Sequence, residues 1–327
     1  MIFIFGPTCS GKTAVALELA NMINGEIISA DSRQVYRHLS AGTAKPEGKW
    51  RYGNCSCGAF IVDGVPYHLV DFLEPDETFS AGEFVRRATL LAGKIKKRGG
   101  VPIITGGTGL YIRLFRNGVT PLPGRDENVR SELLGLEKKY GRPYLHKKLA
   151  AIDPVSAERI HPNNIQRMIR AIEVHQITGV PFSQVVQQGK IQHPHQGKNK
   201  MKGLKNAVAV CLSMDREKLY KRINNRVRQM LSNGMIDETV AVVGMGSPDD
   251  CPAFKSVGYR HVISYLKNKI SFNYMEEKIA QDTRNYAKRQ ITWFKKERDT
   301  NLVDAGSGNI RRLAEKIAAI TGDNRQV

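Results

Sequence analysis

Short apolar, β-branched runs alternate along the chain with stretches whose apolar positions recur at three- and four-residue spacing. The runs Met1 to Phe5, Glu26 to Ala30, Tyr67 to Phe72, Val101 to Thr105 and Ala207 to Leu212 read as buried strands. Between them, Thr13 to Ile23 is amphipathic, and Phe79 to Lys97 carries an apolar stripe that ends in a basic turn before Gly99-Gly100. Arg216 to Leu231 follows Asp215, whose side chain suits an N-cap. This alternation predicts an α/β fold with a doubly wound, mostly parallel sheet.

Between Gly118 and Gly203 the pattern changes. No strand is convincing there; the Pro-bracketed segments Glu127 to Tyr140, Pro154 to Ile160 and Ile165 to Thr178 read as helices, and the polar stretch QHPHQGKNKMKG precedes the next strand. The expected division is a core domain, residues 1–117 and 204–327, with a helical insertion at 118–203. After residue 215 the core domain reads as almost wholly helical and basic.

A length of 327 residues accommodates one large α/β domain and an inserted piece. No apolar run approaches the roughly 20 residues that span a bilayer. The apolar start leads into a Gly-rich loop and not into a cleavage site, so a cytoplasmic protein with no membrane partner is expected. Cysteines 9, 55, 57, 211 and 251 have no C-x-x-C spacing, which argues against a disulfide framework or a zinc site. Nor do the histidines show metal-ligand spacing; His161, His175, His193 and His195 read as surface or core-edge residues. The net charge of +19 changes the picture more, because an enzyme of free metabolites has no general need of it. Polyanions, and nucleic acid first, are the natural partners.

The octet Gly6-Pro7-Thr8-Cys9-Ser10-Gly11-Lys12-Thr13 fits G-x-x-x-x-G-K-[ST] between an apolar strand and a helix, the context that motif requires. Its glycines let backbone N–H groups converge on phosphate oxygens. Lys12 reaches the outer phosphate and Thr13 can ligate magnesium. The second strand ends at Asp31, which should project into the same crevice as a magnesium ligand, a general base or only the N-cap of the next segment. The loop Gly106-Gly107-Thr108-Gly109-Leu110-Tyr111 follows another strand in the same way. A P-loop alone names no reaction.

Taken together, the stretches GPTCSGKT, ADSRQVYRHLSAGTAKP, GGTGLYI, DPVSAERIHPNNIQRMIRAIEV, SVGYR and AKRQITWF resemble, in order, the tRNA dimethylallyltransferases. The resemblance covers nearly the whole chain. It implies a P-loop NTPase-like fold adapted to hold dimethylallyl pyrophosphate, with transfer of its five-carbon group to N6 of the adenine beside the tRNA anticodon. It implies pyrophosphate and Mg²⁺ binding by Gly6, Thr8, Ser10, Gly11, Lys12 and Thr13, with Thr13 and Asp31 at the metal. Asp31, Thr108 and Lys12 would be catalytic, Asp31 as general base. Contacts to the anticodon stem-loop would come from Asp31, Ser32, Arg33, Gln34, Thr108, Arg130, Gln166, Arg167, Arg170, Lys255, Gly258, Tyr259, Arg260, Lys288, Arg289, Gln290 and Lys295. A monomer is expected.

The chemistry is consistent with that implication. An aromatic amine is a poor nucleophile, and a positioned carboxylate can orient it and take its proton. An adenine stacked in a loop must first be extruded. Along Gln281 to Lys296, cations at helical spacing form one stripe that suits phosphate and equally suits plain solvent exposure. Arg170 also lies three residues before Glu173, which fits a local ion pair. Trp50 to Val65 and Gly244 to Pro252 depart from the family pattern, and no Cys/His pairs supply the zinc finger that some relatives carry. Three rival readings are a relative that prenylates free adenine nucleotides, a small-molecule or nucleotide kinase, and an RNA-binding module with a vestigial P-loop.

Overall fold

The computed structural model describes residues 1–52, 58–119, 122–192 and 207–322. Cys55, Cys57, His193, His195 and nearly all of QHPHQGKNKMKG lie outside the described residues. The chain divides into two compact units, Met1–Arg116 with Gly203–Val327, and Asn117–Lys202.

The larger unit is built on one eight-stranded sheet. In chain order its elements begin with β1 (Ile2–Phe5), α1 (Lys12–Met22), β2 (Gly25–Ser29), β3 (Lys49–Arg51), β4 (Ala59–Val62), β5 (Val65–His68), α2 (Ala81–Lys97), β6 (Val101–Gly106) and α3 (Gly109–Asn117). The smaller unit contributes α4 (Glu127–Tyr140), α5 (Arg142–Ile152), α6 (Pro154–Arg159), α7 (Ile165–Thr178) and α8 (Phe182–Gln192). The larger unit then resumes with β7 (Val208–Ser213), α9 (Arg216–Ser232), α10 (Met235–Gly244), α11 (Tyr259–Leu266), α12 (Phe272–Phe294), β8 (Asn301–Asp304) and α13 (Ile310–Thr321).

Strand order is β3-β4-β5-β2-β6-β1-β7-β8, with β5 through β8 parallel and the β3 and β4 pairings antiparallel. β1 is central, Ile2 lying opposite Ile103 on one side and Val208 on the other. A strand buried on both faces must be apolar at every position, which is why IFIF shows no alternation. Ile2 and Ile4 join Val15 and Leu19 of α1 and Leu313 and Ile317 of α13 in one core cluster. Phe3 and Phe5 meet Phe115 of α3 and Phe294 of α12, at centroid distances of 5.9 and 5.0 Å. α9 carries its expected cap, Asp215 accepting the N–H groups of Glu217 and Lys218.

Three expectations need correction. The strand foreseen at Tyr67 to Phe72 is shorter and earlier, because Leu69 and Asp71 adopt left-handed φ values of 59° and 55° that end the extended run. β3 and β4 fall in the segment that departs from the family pattern. β8 interrupts the expected all-helical end, its main chain pairing with β7.

Within the smaller unit, Leu133, Leu145, Leu149, Met168 and Ile172 form the core. Asp126, Asp153 and Asn164 cap α4, α6 and α7, and Gly179 ends α7 in the left-handed region. Among the described residues no helix is long and apolar enough to cross a membrane.

Candidate active site

The first loop is fixed by backbone constraints. Gly6 has φ 154°, and a Cβ there would lie 2.5 Å from the Leu212 carbonyl oxygen of the adjacent strand. Gly11 occupies the N-cap of α1 at φ 89°, so the first amides of that helix face the loop without a side-chain cap. Lys12 donates from Nζ to the Pro7 carbonyl at 2.6 Å. Burial, reinforced by nearby Arg226 and opposed by Asp31, brings its ammonium pKa down to about 8.

The second loop turns on Asp31, whose Oδ1 accepts the N–H groups of Arg33 at 2.8 Å and Gln34 at 3.4 Å. One of its oxygens therefore caps the turn, one of the roles left open by the sequence. The third loop is stitched to the second: Thr108 donates its N–H to the Ala30 carbonyl at 3.1 Å and accepts the Ser32 N–H on Oγ1 at 3.0 Å. Gln290 of α12 joins the third loop to the first, accepting the Thr8 N–H and donating to the Gly107 carbonyl, each at 2.8 Å.

These loops enclose two adjoining cavities whose shared walls include Thr8, Asp31, Gly107, Arg226, Tyr286 and Gln290. The smaller, about 70 Å³, is the polar end, with Lys12, Thr13, Gln34 and Thr105. The larger, about 420 Å³, adds Ser32, Arg33, Thr43, Thr108, Lys255, Arg289 and Trp293. It falls within the roughly 300–1,000 Å³ typical of small-molecule sites. Among the described residues, the buried hydroxyls of Ser10 in the first loop and Thr105 at the end of β6 have no hydrogen-bond partner. Such groups are costly unless a ligand or water meets them.

Several functional positions escaped the sequence reading. Arg226 of α9 lines both cavities and forms no ion pair among the described residues. Its trace in the sequence is a cation set between Ile223 and Val227 on the buried stripe of α9. Tyr286 and Trp293 form an aromatic wall, with Arg113 stacked 4.1 Å over the Trp293 ring. The indole N–H of Trp293 is buried without a hydrogen-bond partner among the described residues.

The residues expected to contact RNA separate into groups. Asp31, Ser32, Arg33, Thr108, Lys255 and Arg289 line the larger cavity. Arg260 is exposed beside it in sequence, and Gln166 and Arg167 are exposed on α7. The remaining side chains are engaged within the protein or line other cavities. Gln290 is 6% exposed, with its amide engaged at both ends by backbone, and Gln34 is buried with its amide donating to the Ala44 carbonyl. Tyr259 is fully buried, its hydroxyl donating to Glu238, and Gly258 beside it is buried at φ 104°. Arg130 and Arg170 both grip Glu173, which is 0% exposed, so the partner of each is a buried carboxylate of their own unit. Lys288 and Lys295 lie on the far side of α12, lining a separate cavity of about 690 Å³ with Tyr220, Ile291 and Leu302.

The donor set accords with magnesium. Among the described residues no cluster of three or more His, Cys, Asp or Glu side chains can cage a metal. Thr13 and Asp31 instead share the small polar cavity with Lys12. A hydroxyl and a single carboxylate, completed by substrate phosphate and water, is a donor set that Mg²⁺ accepts.

A P-loop on a mostly parallel sheet, an acid at the end of β2 and a cleft lined by aromatic and basic side chains define an α/β protein of the P-loop class. The family model for IPP transferase matches residues 34–297, and that for isopentenyl transferase matches residues 1–50. This chain belongs to the IPP transferase family. It is 38% identical over 330 residues to a tRNA dimethylallyltransferase of Carboxydothermus hydrogenoformans, covering 99% of this chain and 98% of the relative. A solved full-length tRNA isopentenylpyrophosphate transferase of Bacillus halodurans is 35% identical with a TM-score of 0.64, covering 98% and 96% of the two chains. A eukaryotic dimethylallyltransferase solved acting on tRNA shares the fold, with a TM-score of 0.77 at 24% identity, over 100% of this chain and 80% of that one.

Proposed function

We propose that this protein transfers the dimethylallyl group of dimethylallyl pyrophosphate to N6 of the adenosine beside a tRNA anticodon, releasing pyrophosphate. The observation that carries this reading is the position of Asp31, on the shared wall of the phosphate cavity and the larger aromatic one. A base placed there meets both substrates.

The loop amides, Lys12 and Arg226 hold the pyrophosphate and stabilise the charge that develops on it as the allylic C–O bond breaks. Thr13 and Asp31 would hold a Mg²⁺ ion, which when bound supplies further neutralisation of that charge. Tyr286 and Trp293 offer ring faces to an extruded adenine, whose entry displaces water from the neighbourhood of the allylic carbon. Asp31 accepts the proton lost from N6 as the N–C bond forms, so the amine leaves neutral. Thr108, tied to Ser32 at the base of the cleft, orients the segment that carries Asp31. The net charge of +19 suits an RNA partner.

Incubation with labelled dimethylallyl pyrophosphate, Mg²⁺ and unmodified tRNA, followed by nuclease digestion, tests the reading. Label on N6 of the adenosine beside the anticodon is the expected result. Label on AMP with none on tRNA selects a free-nucleotide prenyltransferase, and rapid ATP turnover with a phosphorylated acceptor selects a kinase.

A further inference from the structure

The loop after β2 forms one wall of the larger cavity through Gly42 and Thr43. Its middle is held by a carboxylate far away in the sequence. Glu238 of α10 accepts the N–H of Ser40 on Oε2 at 2.6 Å, the N–H of Ala41 on Oε2 at 2.9 Å and the N–H of Gly42 on Oε1 at 2.8 Å. The Tyr259 hydroxyl donates to the same Oε1 at 2.7 Å. Successive backbone N–H groups that converge on an anion form a concave nest, and a carboxylate that fills one fixes the backbone around it.

The nest is also tightly packed. A Cβ on Gly42 would lie 2.5 Å from the Tyr259 hydroxyl and 2.9 Å from Met235 Cε, so the loop cannot move toward α10 and α11. Ala44 has φ 44°, a left-handed conformation unfavourable for a residue with a side chain. Such a conformation persists only where its surroundings impose it. The flanks of the loop are tied separately, Thr43 Oγ1 to the Leu39 carbonyl and Lys45 Nζ to the Tyr36 carbonyl. At the centre, Thr43 Oγ1 adds a longer bond to the Ser40 carbonyl, 3.4 Å, and the N–H groups of Ala44 and Lys45 return to the Ala41 and Ser40 carbonyls, but Glu238 alone accepts the three successive N–H groups.

We infer that Glu238 is a positioning and specificity-determining residue. It fixes the backbone of Ser40 to Gly42 and thereby the place of that wall in the cavity that Tyr286 and Trp293 also line. It touches neither substrate and acts through the loop. A cleft of fixed width admits one flat ring system in one orientation; a slack wall admits others. This inference rests on the transferase reading and names what sets the base selectivity of that site.

The test compares Glu238→Ala and Glu238→Gln with the unaltered protein. Glutamine keeps the volume but sets an NH₂ against N–H donors, so it serves if the alanine variant does not fold. Hydrogen exchange is read at the amides of Ser40, Ala41 and Gly42 and, as a control, at β1 and β6. Prenyl transfer is read as the ratio of kcat/KM for a tRNA carrying adenine at the target position to that for one carrying cytosine, whose exocyclic amine is chemically similar. This ratio does not depend on the fraction of folded enzyme. The expected result is faster exchange confined to those amides and a ratio reduced about 10-fold or more, with affinity for dimethylallyl pyrophosphate unchanged. Unaltered exchange at Ser40 to Gly42, or looser amides with an unaltered ratio, overturns it. If the unaltered protein transfers no prenyl group, the transferase reading falls, and the exchange data alone still decide whether Glu238 clamps the loop.

Discussion

Gln290 accepts the backbone N–H of Thr8 at 2.8 Å, so the last long helix of the protein holds its first loop. The same side chain donates to Gly107, and its replacement leaves a donor and an acceptor unpaired at a buried junction. Gln290→Ala is expected to cost about 1–3 kcal/mol of stability. It should also lower kcat/KM by roughly 10- to 100-fold as the phosphate loop drifts from its register. Urea denaturation and steady-state kinetics check both; a variant with full activity would show that the bridge is dispensable.

Asp31→Ala should lower turnover by roughly 10²–10⁴-fold, the usual span for a positioned base, with tRNA affinity nearly unchanged. Asp31→Asn still accepts the Arg33 and Gln34 N–H bonds through its amide oxygen but cannot take a proton, so it should be as inactive as the alanine variant while keeping native stability. Single-turnover rates and thermal melts separate these effects. An active asparagine variant would reduce Asp31 to a turn cap.

Lys12 gives a pH signature. Its pKa of about 8 in the folded state lies below the ordinary value of 10.5, so below pH 8 the buried cation is a fully expressed destabilisation, relieved as pH rises from 8 to 10.5. Lys12→Met should therefore stabilise the ligand-free protein at pH 7, by on the order of 2–3 kcal/mol, and the advantage should fade toward pH 10.5. Pyrophosphate favours the protonated form, so its affinity for the unaltered protein should fall as pH climbs through 8. Calorimetric titration at pH 7 and pH 9 reads this directly, and a flat profile would rule it out.

Glu173 anchors the smaller unit. Burial alone would raise its pKa, but hydrogen bonds from Arg130 and Arg170 bring it down to about 2. Its contribution is complete above the ordinary carboxylate value of 4.5 and is lost as pH falls toward 2. Glu173→Ala leaves two arginines without their counter-charge and should destabilise this unit by about 3–5 kcal/mol. Proteolytic cleavage within residues 117–202 should rise sharply while the sheet unit stays intact; unchanged resistance would contradict it.

The parts of the molecule legible in the sequence are those whose cause is local. The octet beginning at Gly6 has its chemistry and context within adjacent residues, and α4 and α7 match their expected spans because their caps and periodicity are contiguous. β3 and β8, of three and four residues, exist because a partner strand supplies their hydrogen bonds, and no short-range pattern announces that. Arg170 and Glu173 are three apart and their pairing was visible, whereas Arg130 reaches the same carboxylate from 43 residues away. Tyr259 and Gln290 carry the composition of an RNA-facing surface, yet tertiary packing turned them inward onto Glu238 and the loops. Lys288 and Lys295 share the helix of the cleft but not its face.

The seam between Thr8 and Gln290 bears on how the protein comes into being. The phosphate loop is synthesised 282 residues before the side chain that secures it, and α13, which packs on α1, comes later still. A nascent or truncated chain lacking that stretch has the motif without its latch. Such a piece should hold a pyrophosphate less firmly than the chain that includes α12, although its signature sequence is intact.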